Sequence, residues 1–176
     1  LQHSGYQTAV IGKWHLYSDP VGFDHWEVID NVLEQGTYYN PAFRSPAGVE
    51  EATGYVADIV TDKSIAWMRQ AKHVGKPFFL FYSHKTPHRD WLPGPEELRN
   101  WDESAKIEEP DTLLRPLDGL TQARREARMR LAEYMTDNDV KLKQANSLTP
   151  AQEALWHAAF DEGNRQFEAS DMSADD

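Results

Sequence analysis

Two short stretches of the chain carry side chains whose types and spacing suit one kind of chemistry. In Gly12-Lys13-Trp14-His15 a lysine and a histidine stand two residues apart. Along an extended backbone alternate side chains share a side, so Lys13 and His15 are expected to point the same way. Lysine supplies a compact cation, and histidine a group that gives or takes a proton near neutral pH. Together they suit a tetrahedral anion whose charge is redistributed during reaction. The second stretch, Ser83-His84-Lys85-Thr86-Pro87-His88, adds one more lysine and two histidines. Pro87 fixes its own backbone angle and biases Thr86 toward an extended conformation, which aims His88 in a defined direction. Each residue alone has a plainer reading: a surface lysine, a histidine that satisfies a backbone carbonyl, a loop histidine in solvent.

The elements that must position these residues are legible around them. Residues 7–16 read as a buried strand running into a functional loop, with β-branched Thr8, Val10 and Ile11, and with Gly12 allowing close backbone approach. Phe23 to Asp30 is a second candidate strand, and Gln35 to Ser45 a loop rich in Gly, Tyr, Asn and Pro. Residues 55–72 predict a helix. Val56, Ile59, Val60, Ala66 and Trp67 fall on its inner face, and Asp58, Asp62 and Arg69 point away. Pro77 to Ser83 is a continuous apolar run, the pattern of a central strand covered on both faces. Strand, helix, strand in this order predicts a parallel α/β sheet, in which ligands sit beyond the carboxyl ends of strands. Lys13 and His15 end one such strand, and His84 and His88 follow another.

From Glu96 onward the composition changes. Thr121 to Met135 and Thr149 to about Ser170 read as polar helices, the second opening on an N-cap, a proline and a capping-box glutamine. A Pro- and Asp-rich connection, Ile107 to Asp118, precedes them, and the tail Asp171 to Asp176 is expected to fray. The expected organisation is an α/β region over residues 1–95 and a helical insertion or lid over 96–176.

The chain has 176 residues, 40% of them hydrophobic and 11% aromatic, enough for a real core. Its net charge is −11. Residues 1–99 hold 9 Lys+Arg against 12 Asp+Glu, and residues 100–176 hold 9 against 17, so the acidity lies mainly in the second half. An acidic surface argues against nucleic acid or anionic membrane as a partner, but not against a small anion met by a few local cations. The longest apolar stretch, Val74 to Tyr82, is broken by Gly75, Lys76 and Pro77, so no membrane span is expected. With no cysteine, the segment has no disulfide and no thiolate metal site. It opens without methionine or signal peptide, as if at the end of a helix capped by Gly5, so it is expected to be an internal fragment.

Gly5-Tyr6-Gln7-Thr8-Ala9-Val10-Ile11-Gly12-Lys13-Trp14-His15 resembles the second signature of the sulfatase family, a G-Y-x-T-A-x-x-G-K-W-H pattern, position by position. Pro77 to His88 resembles the family's strand followed by a P-H loop. Gly22-Phe23-Asp24-His25-Trp26 is similar to its G-F-D-x-W segment, and Gly54-Tyr55-Val56-Ala57-Asp58 to a helix entry. Gly36-Thr37-Tyr38-Tyr39-Asn40-Pro41 resembles a loop of members acting on polysaccharides. Together these matches cover roughly the first 95 residues.

The resemblance implies part of an alkaline-phosphatase-like α/β sandwich, with a mostly parallel sheet followed by a helical insertion. It also implies a sulfuric ester hydrolase acting on a sulfated carbohydrate, and a periplasmic or secreted parent protein. Lys13 would bind the sulfate or the hydrate oxygen of the nucleophile. His15 would assist proton removal from that hydrate, and His88 would contact the leaving-group oxygen as a general acid. Asn40 and Lys85 would touch substrate. A calcium ion and a formylglycine made from a C/S-x-P-x-R motif are expected in the parent. This segment has no cysteine, no S-x-P-x-R and no recognisable calcium ligands, so no metal site and no activity are expected of it alone. Two other readings stay open: a phosphodiesterase or phosphonate-ester hydrolase of the same superfamily, and a homologue that binds sulfated glycans without turnover.

Overall fold

A computed structural model of the protein describes residues 1–30, 36–100, 102, 104–111, 119, 121–127 and 134–170. Among these residues five strands form one sheet, and two compact units are distinguished, Leu1–Gly94 with Asn146–Thr149, and Pro95–Ala145 with Pro150–Asp176.

The first unit opens on a single 3-10 turn, Gln2–Ser4, closed by Gly5 in the left-handed region at φ 83°, as its sequence predicts. The strand β1 (Gln7–Gly12) follows and is buried from Thr8 to Gly12. Strand β2 (His25–Ile29) pairs with it in parallel, placing Val10 beside Trp26 and Gly12 beside Val28. Val10, Trp26 and Val28 form an apolar cluster against which Trp14 and Phe23 pack. Helix α1 (Val56–Val74) buries Val56, Val60, Ser64, Trp67 and Ala71, and ends on Gly75 at φ 71°. The expected inner face is thus met by Val56, Val60 and Trp67, whereas Ala66 is exposed and Ser64 takes a buried place. Spacing explains the exchange: residues 56, 60, 64, 67 and 71 recur every three or four positions, and 66 falls off that stripe.

Two expectations about strands are corrected. Within Gln35 to Ser45, read as loop, lies β3 (Ala42–Ser45), which turns through Pro46 and Ala47 into β4 (Gly48–Glu51). Pro46 presets the turn, and Gly48 adopts φ 118°, which a residue with a Cβ resists. Only Phe43 of this hairpin is buried, so its alternation was too short to register against the surrounding turn formers. The strand β5 (Phe78–Ser83), expected at the centre, instead ends the sheet order β4-β3-β2-β1-β5. It pairs in parallel with β1, and Phe78, Phe79, Phe81 and Tyr82 remain about two-fifths exposed. Its apolar sequence matches a strand covered on both faces; β1 pairs with it on one side and α1 packs against it.

An ion pair ties α1 to the sheet. Lys63 Nζ lies 2.5 Å from Glu27 Oε2, and His25 Nε2 3.2 Å from Glu27 Oε1. Contact with the His25 ring first, and Lys63 second, draws the Glu27 carboxyl down to about 2 against the opposing effect of burial. A carboxyl depressed below its ordinary 4.5 stabilises the fold fully above that pH, and the contribution disappears as pH falls toward 2. Glu27→Gln is therefore expected to cost on the order of 1–2 kcal/mol at pH 7, with the gap closing under acid. Urea melts of both proteins at pH 7 and pH 3 check this, and an equal gap at both values would refute it.

In the second unit α2 (Pro95–Arg99) packs on α4 (Pro150–Ala169), burying Leu98, Trp156 and Phe160. Helix α4 begins at the proline its sequence marked. Within the helix expected over 121–135, α3 spans Gln122–Arg125, Glu126 and Ala127 are not helical, Tyr134 is helical again, and 128–133 lie outside the described residues. Residues 112–118, most of the connection expected over Ile107 to Asp118, and the tail 171–176 lie outside them too. No helix among the described residues is long and apolar enough to cross a membrane.

Candidate active site

Parallel pairing of β1 and β5 sets Gly12 beside Ser83, so both functional loops leave the sheet from the same edge. The first residue of one loop binds the last of the other strand: Lys13 N–H donates to Ser83 O at 2.7 Å. Gly12 makes this approach possible. It adopts φ 111°, and a Cβ there would fall 1.9 Å from Ser83 O and 3.1 Å from Val60 Cγ1. A strand carrying any other residue at 12 would be pushed off β5.

Beyond Gly12 the strand ends, and the middle residue of Lys13-Trp14-His15 is anchored on the core. Trp14 packs on the Val10–Trp26–Val28 cluster, meets Phe23 edge-on at 6.1 Å, and donates its indole N–H to Ser18 O at 2.9 Å. Lys13 is half-buried, and His15 is exposed with its ring 6.4 Å from that of Tyr17.

The loop after β5 supplies the second cation. Lys85 is buried, with 5% of its surface exposed, and its Nζ lies 4.8 Å from the centre of the Tyr38 ring. Burial, then the charge of Lys13, push the Lys85 ammonium below its ordinary range, while Asp90 opposes them. Burial lowers Lys13 as well. Lys13 and Lys85 are thus two partly desolvated cations in loops that leave paired strand ends, groups of a kind that suits an anion. His88 follows in the same loop, its backbone N–H bonded to Lys85 O at 3.0 Å. His88 Nδ1 lies 2.5 Å from the carbonyl oxygen of Arg89. When Nδ1 carries the proton and donates it there, Nε2 is the atom left for a substrate.

Asn40 stands elsewhere in the network. Its amide Oδ1 accepts the Gly54 N–H at 2.9 Å and its Nδ2 donates to Ser147 O at 2.6 Å, so both ends brace backbone. His84 has its Nδ1 buried without a hydrogen-bond partner among the described residues, its ring 4.3 Å from Tyr82, and burial pushes its pKa down. Asp24 of the G-F-D segment is a latch between strands. It accepts the Thr8 backbone N–H at 2.8 Å and the Thr8 hydroxyl at 3.0 Å, and the Thr8 N–H does most to hold its carboxyl low.

Sequence reasoning passed over Tyr38 and Tyr55. Both lie against the 84–93 loop: Tyr38 donates its hydroxyl to His88 O, and Tyr55 donates to Leu92 O at 2.9 Å. The only signal was their place in two short matched segments, where aromatic residues read as packing.

No group of three or more His, Asp or Glu among the described residues is arranged to hold a metal ion, and the chain lacks cysteine. These residues fit neither a calcium ion nor a formylglycine. What the structure shows is Lys13, His15, Lys85 and His88 in the loops that leave the carboxyl ends of the parallel strands β1 and β5 of a mixed sheet, the end at which α/β folds such as the alkaline-phosphatase-like class bind ligands. The sulfatase family model matches residues 1–140, and the chain belongs to the sulfatase family. It is 41% identical over 143 residues to an N-acetylglucosamine-6-O-sulfatase of Bacteroides thetaiotaomicron, covering 81% of this chain and 25% of that protein. It is 31% identical over 109 residues to a putative extracellular sulfatase Sulf-1 homolog of Caenorhabditis elegans, covering 54% of this chain and 15% of that one. The solved structure of BT4656 in complex with its substrate D-glucosamine-2-N,6-O-disulfate superposes with a TM-score of 0.85 at 32% identity, over 98% of this chain and 38% of that one. The chain thus spans about a quarter of its first curated relative and under two-fifths of the solved one.

Proposed function

We propose that this chain is the part of a sulfuric ester hydrolase that grips the sulfate group and protonates the departing alcohol, acting on a 6-O-sulfated glucosamine or N-acetylglucosamine unit. The reading is carried by one observation, the backbone joining of the two loops: β1 and β5 pair in parallel as far as Gly12 and Ser83, Lys13 N–H bonds Ser83 O, and Lys85 and His88 stand in the turn that follows. Likeness to an N-acetylglucosamine-6-O-sulfatase and to BT4656 supports the sugar and the position of its ester.

Lys13 and Lys85 hold sulfate oxygens, and their charge counts for more because water is partly excluded. As the S–O bond breaks, His88, entering the step as the imidazolium with its Nδ1–H on the Arg89 carbonyl, gives its Nε2 proton to the sugar oxygen, which otherwise leaves as a strongly basic alkoxide. His15, exposed beside Lys13, is the second group able to move a proton. Asn40 acts through the loop it braces. Calcium and formylglycine belong to the rest of the parent protein, where they would supply the nucleophile and its activation.

The test is sulfate release from N-acetylglucosamine-6-sulfate by the full-length protein, matured with formylglycine, beside the isolated 176-residue chain. The expected result is turnover by the first and none by the second. Hydrolysis of phosphate esters without sulfate release would replace this reading with the phosphoesterase one. Binding of the sulfated sugar without turnover would make the parent a glycan-binding homologue.

A further inference from the structure

Three tyrosines from two separate segments hold the loop that carries Lys85 and His88. Tyr38 donates its hydroxyl to the His88 carbonyl, Tyr55 donates to Leu92 O at 2.9 Å, and Tyr39 donates to Pro93 O at 2.6 Å. The three rings form one stack: Tyr38 lies on Tyr55 with centres 6.1 Å apart and planes 22° apart, and Tyr39 tilts against Tyr55 at 5.3 Å. Tyr38 and Tyr39 are almost fully buried. Backbone pairing locks their two segments together, with Val56 N–H on Tyr38 O at 2.8 Å and Asn40 N–H on Gly54 O at 2.8 Å. Asn40 closes the same corner through Gly54 and Ser147. The loop itself is irregular between Lys85 and Gly94, and these three phenols bond its backbone at His88, Leu92 and Pro93.

We infer that Tyr38 is the positioning residue that sets the proton donor and the buried cation of the site relative to each other, with Tyr55 and Tyr39 anchoring the far end of the loop. One side chain touches both functional groups: its ring faces the Lys85 ammonium at 4.8 Å and its hydroxyl holds the carbonyl of His88. The His88 carbonyl also accepts the Trp91 N–H at 3.1 Å, so both of its lone pairs are engaged and the peptide plane is fixed from two directions. Burial, with the neighbouring Tyr55 and Asp90, raises the Tyr38 phenol above its ordinary range, which keeps it a donor at any working pH. This inference rests on the hydrolase reading above, because it assigns Tyr38 to the step in which His88 protonates the leaving alcohol.

Tyr38→Phe in the full-length protein separates the two contacts, removing the hydroxyl and keeping the ring under Lys85. A misplaced proton donor matters for a basic alcohol and hardly at all for a leaving group that departs as a stable phenolate. The expected result is a fall in kcat of about tenfold on N-acetylglucosamine-6-sulfate, with KM little changed and less than about twofold loss on 4-nitrophenyl sulfate. In a His88→Ala background the same substitution should cost nothing further, because the two act on one step. Tyr55→Phe, which frees Leu92 O in the same loop, is the second variant and should show the same dependence on leaving group if Tyr38→Phe fails to fold. Equal losses on both substrates, or additive losses with His88→Ala, would overturn the positioning role while leaving the hydrolase standing. A wild-type protein that releases no sulfate from either substrate would overturn the hydrolase reading and this inference with it.

Discussion

Lys13→Ala in the full-length hydrolase is expected to lower kcat/KM for sulfate-ester cleavage by about 10²–10³-fold, the range seen when one preorganised donor to a developing anion is removed. The protein should stay folded. Lys13 holds its place by a backbone N–H on Ser83, which alanine keeps, and its ammonium is partly stripped of water, a cost that alanine removes. Lys13→Arg tests whether charge alone is enough: a wide planar fork does not fit a place built beside Lys85, so little of the loss should be recovered. The pH dependence has a definite sign. Both lysines lose their protons below the ordinary 10.5, so affinity for sulfate should begin to fall at a lower alkaline pH than an unperturbed lysine would give. Steady-state kinetics across neutral and alkaline pH, alongside a thermal melt, decide the matter. A folded variant with near-normal kcat/KM would remove Lys13 from the site.

Gly12→Ala is expected to damage the fold more than any other single methyl addition described above. The new Cβ would stand 1.9 Å from a backbone oxygen of β5, which has no flexible end to swing away, and it would also have to adopt φ 111°. Strain of that backbone angle and overpacking each cost about 1–3 kcal/mol, so a loss of about 3 kcal/mol or more is expected. For a domain of this size that lowers the melting temperature by roughly 10 °C. Because relief can come only by parting β1 from β5 at the site, activity should fall further than stability alone explains. Val49→Ala, on an exposed strand far along the sheet order, provides the contrast and should change neither. A Gly12→Ala protein as stable as the parent would mean that β1 and β5 do not approach as described.

Sequence alone reached β1, α1, the Gly5 turn and the start of α4 because each is written locally, in β-branched runs, helical spacing or caps. For the proposed site, an eleven-residue pattern marks Lys13 and His15, and a proline marks His88. Other features have no local signature. The bonds from Tyr38 and Tyr39 reach backbone carbonyls 50 and 54 residues away, and a phenol destined for a distant carbonyl looks like any packed ring. Asn40 read as a residue for sugar, and its amide proved to hold two backbone groups, a task for which asparagine in a turn is equally suited. The covered centre predicted for β5 failed for a different reason: an apolar run reports that a strand wants cover on both faces, not which chain segment provides it.

That unmet demand has a consequence for handling the segment. Six consecutive residues, Phe78-Phe79-Leu80-Phe81-Tyr82-Ser83, carry no charge and no proline, and one long side of their backbone faces no other strand among the described residues. Such a rim can recruit an identical rim from a second molecule, and the joined sheet still ends on the exposed β4 rim at each side, through which it can lengthen further. Expressed by itself, the chain should therefore scatter light increasingly with concentration and take up an amyloid dye, and a single lysine at Phe79 should suppress both.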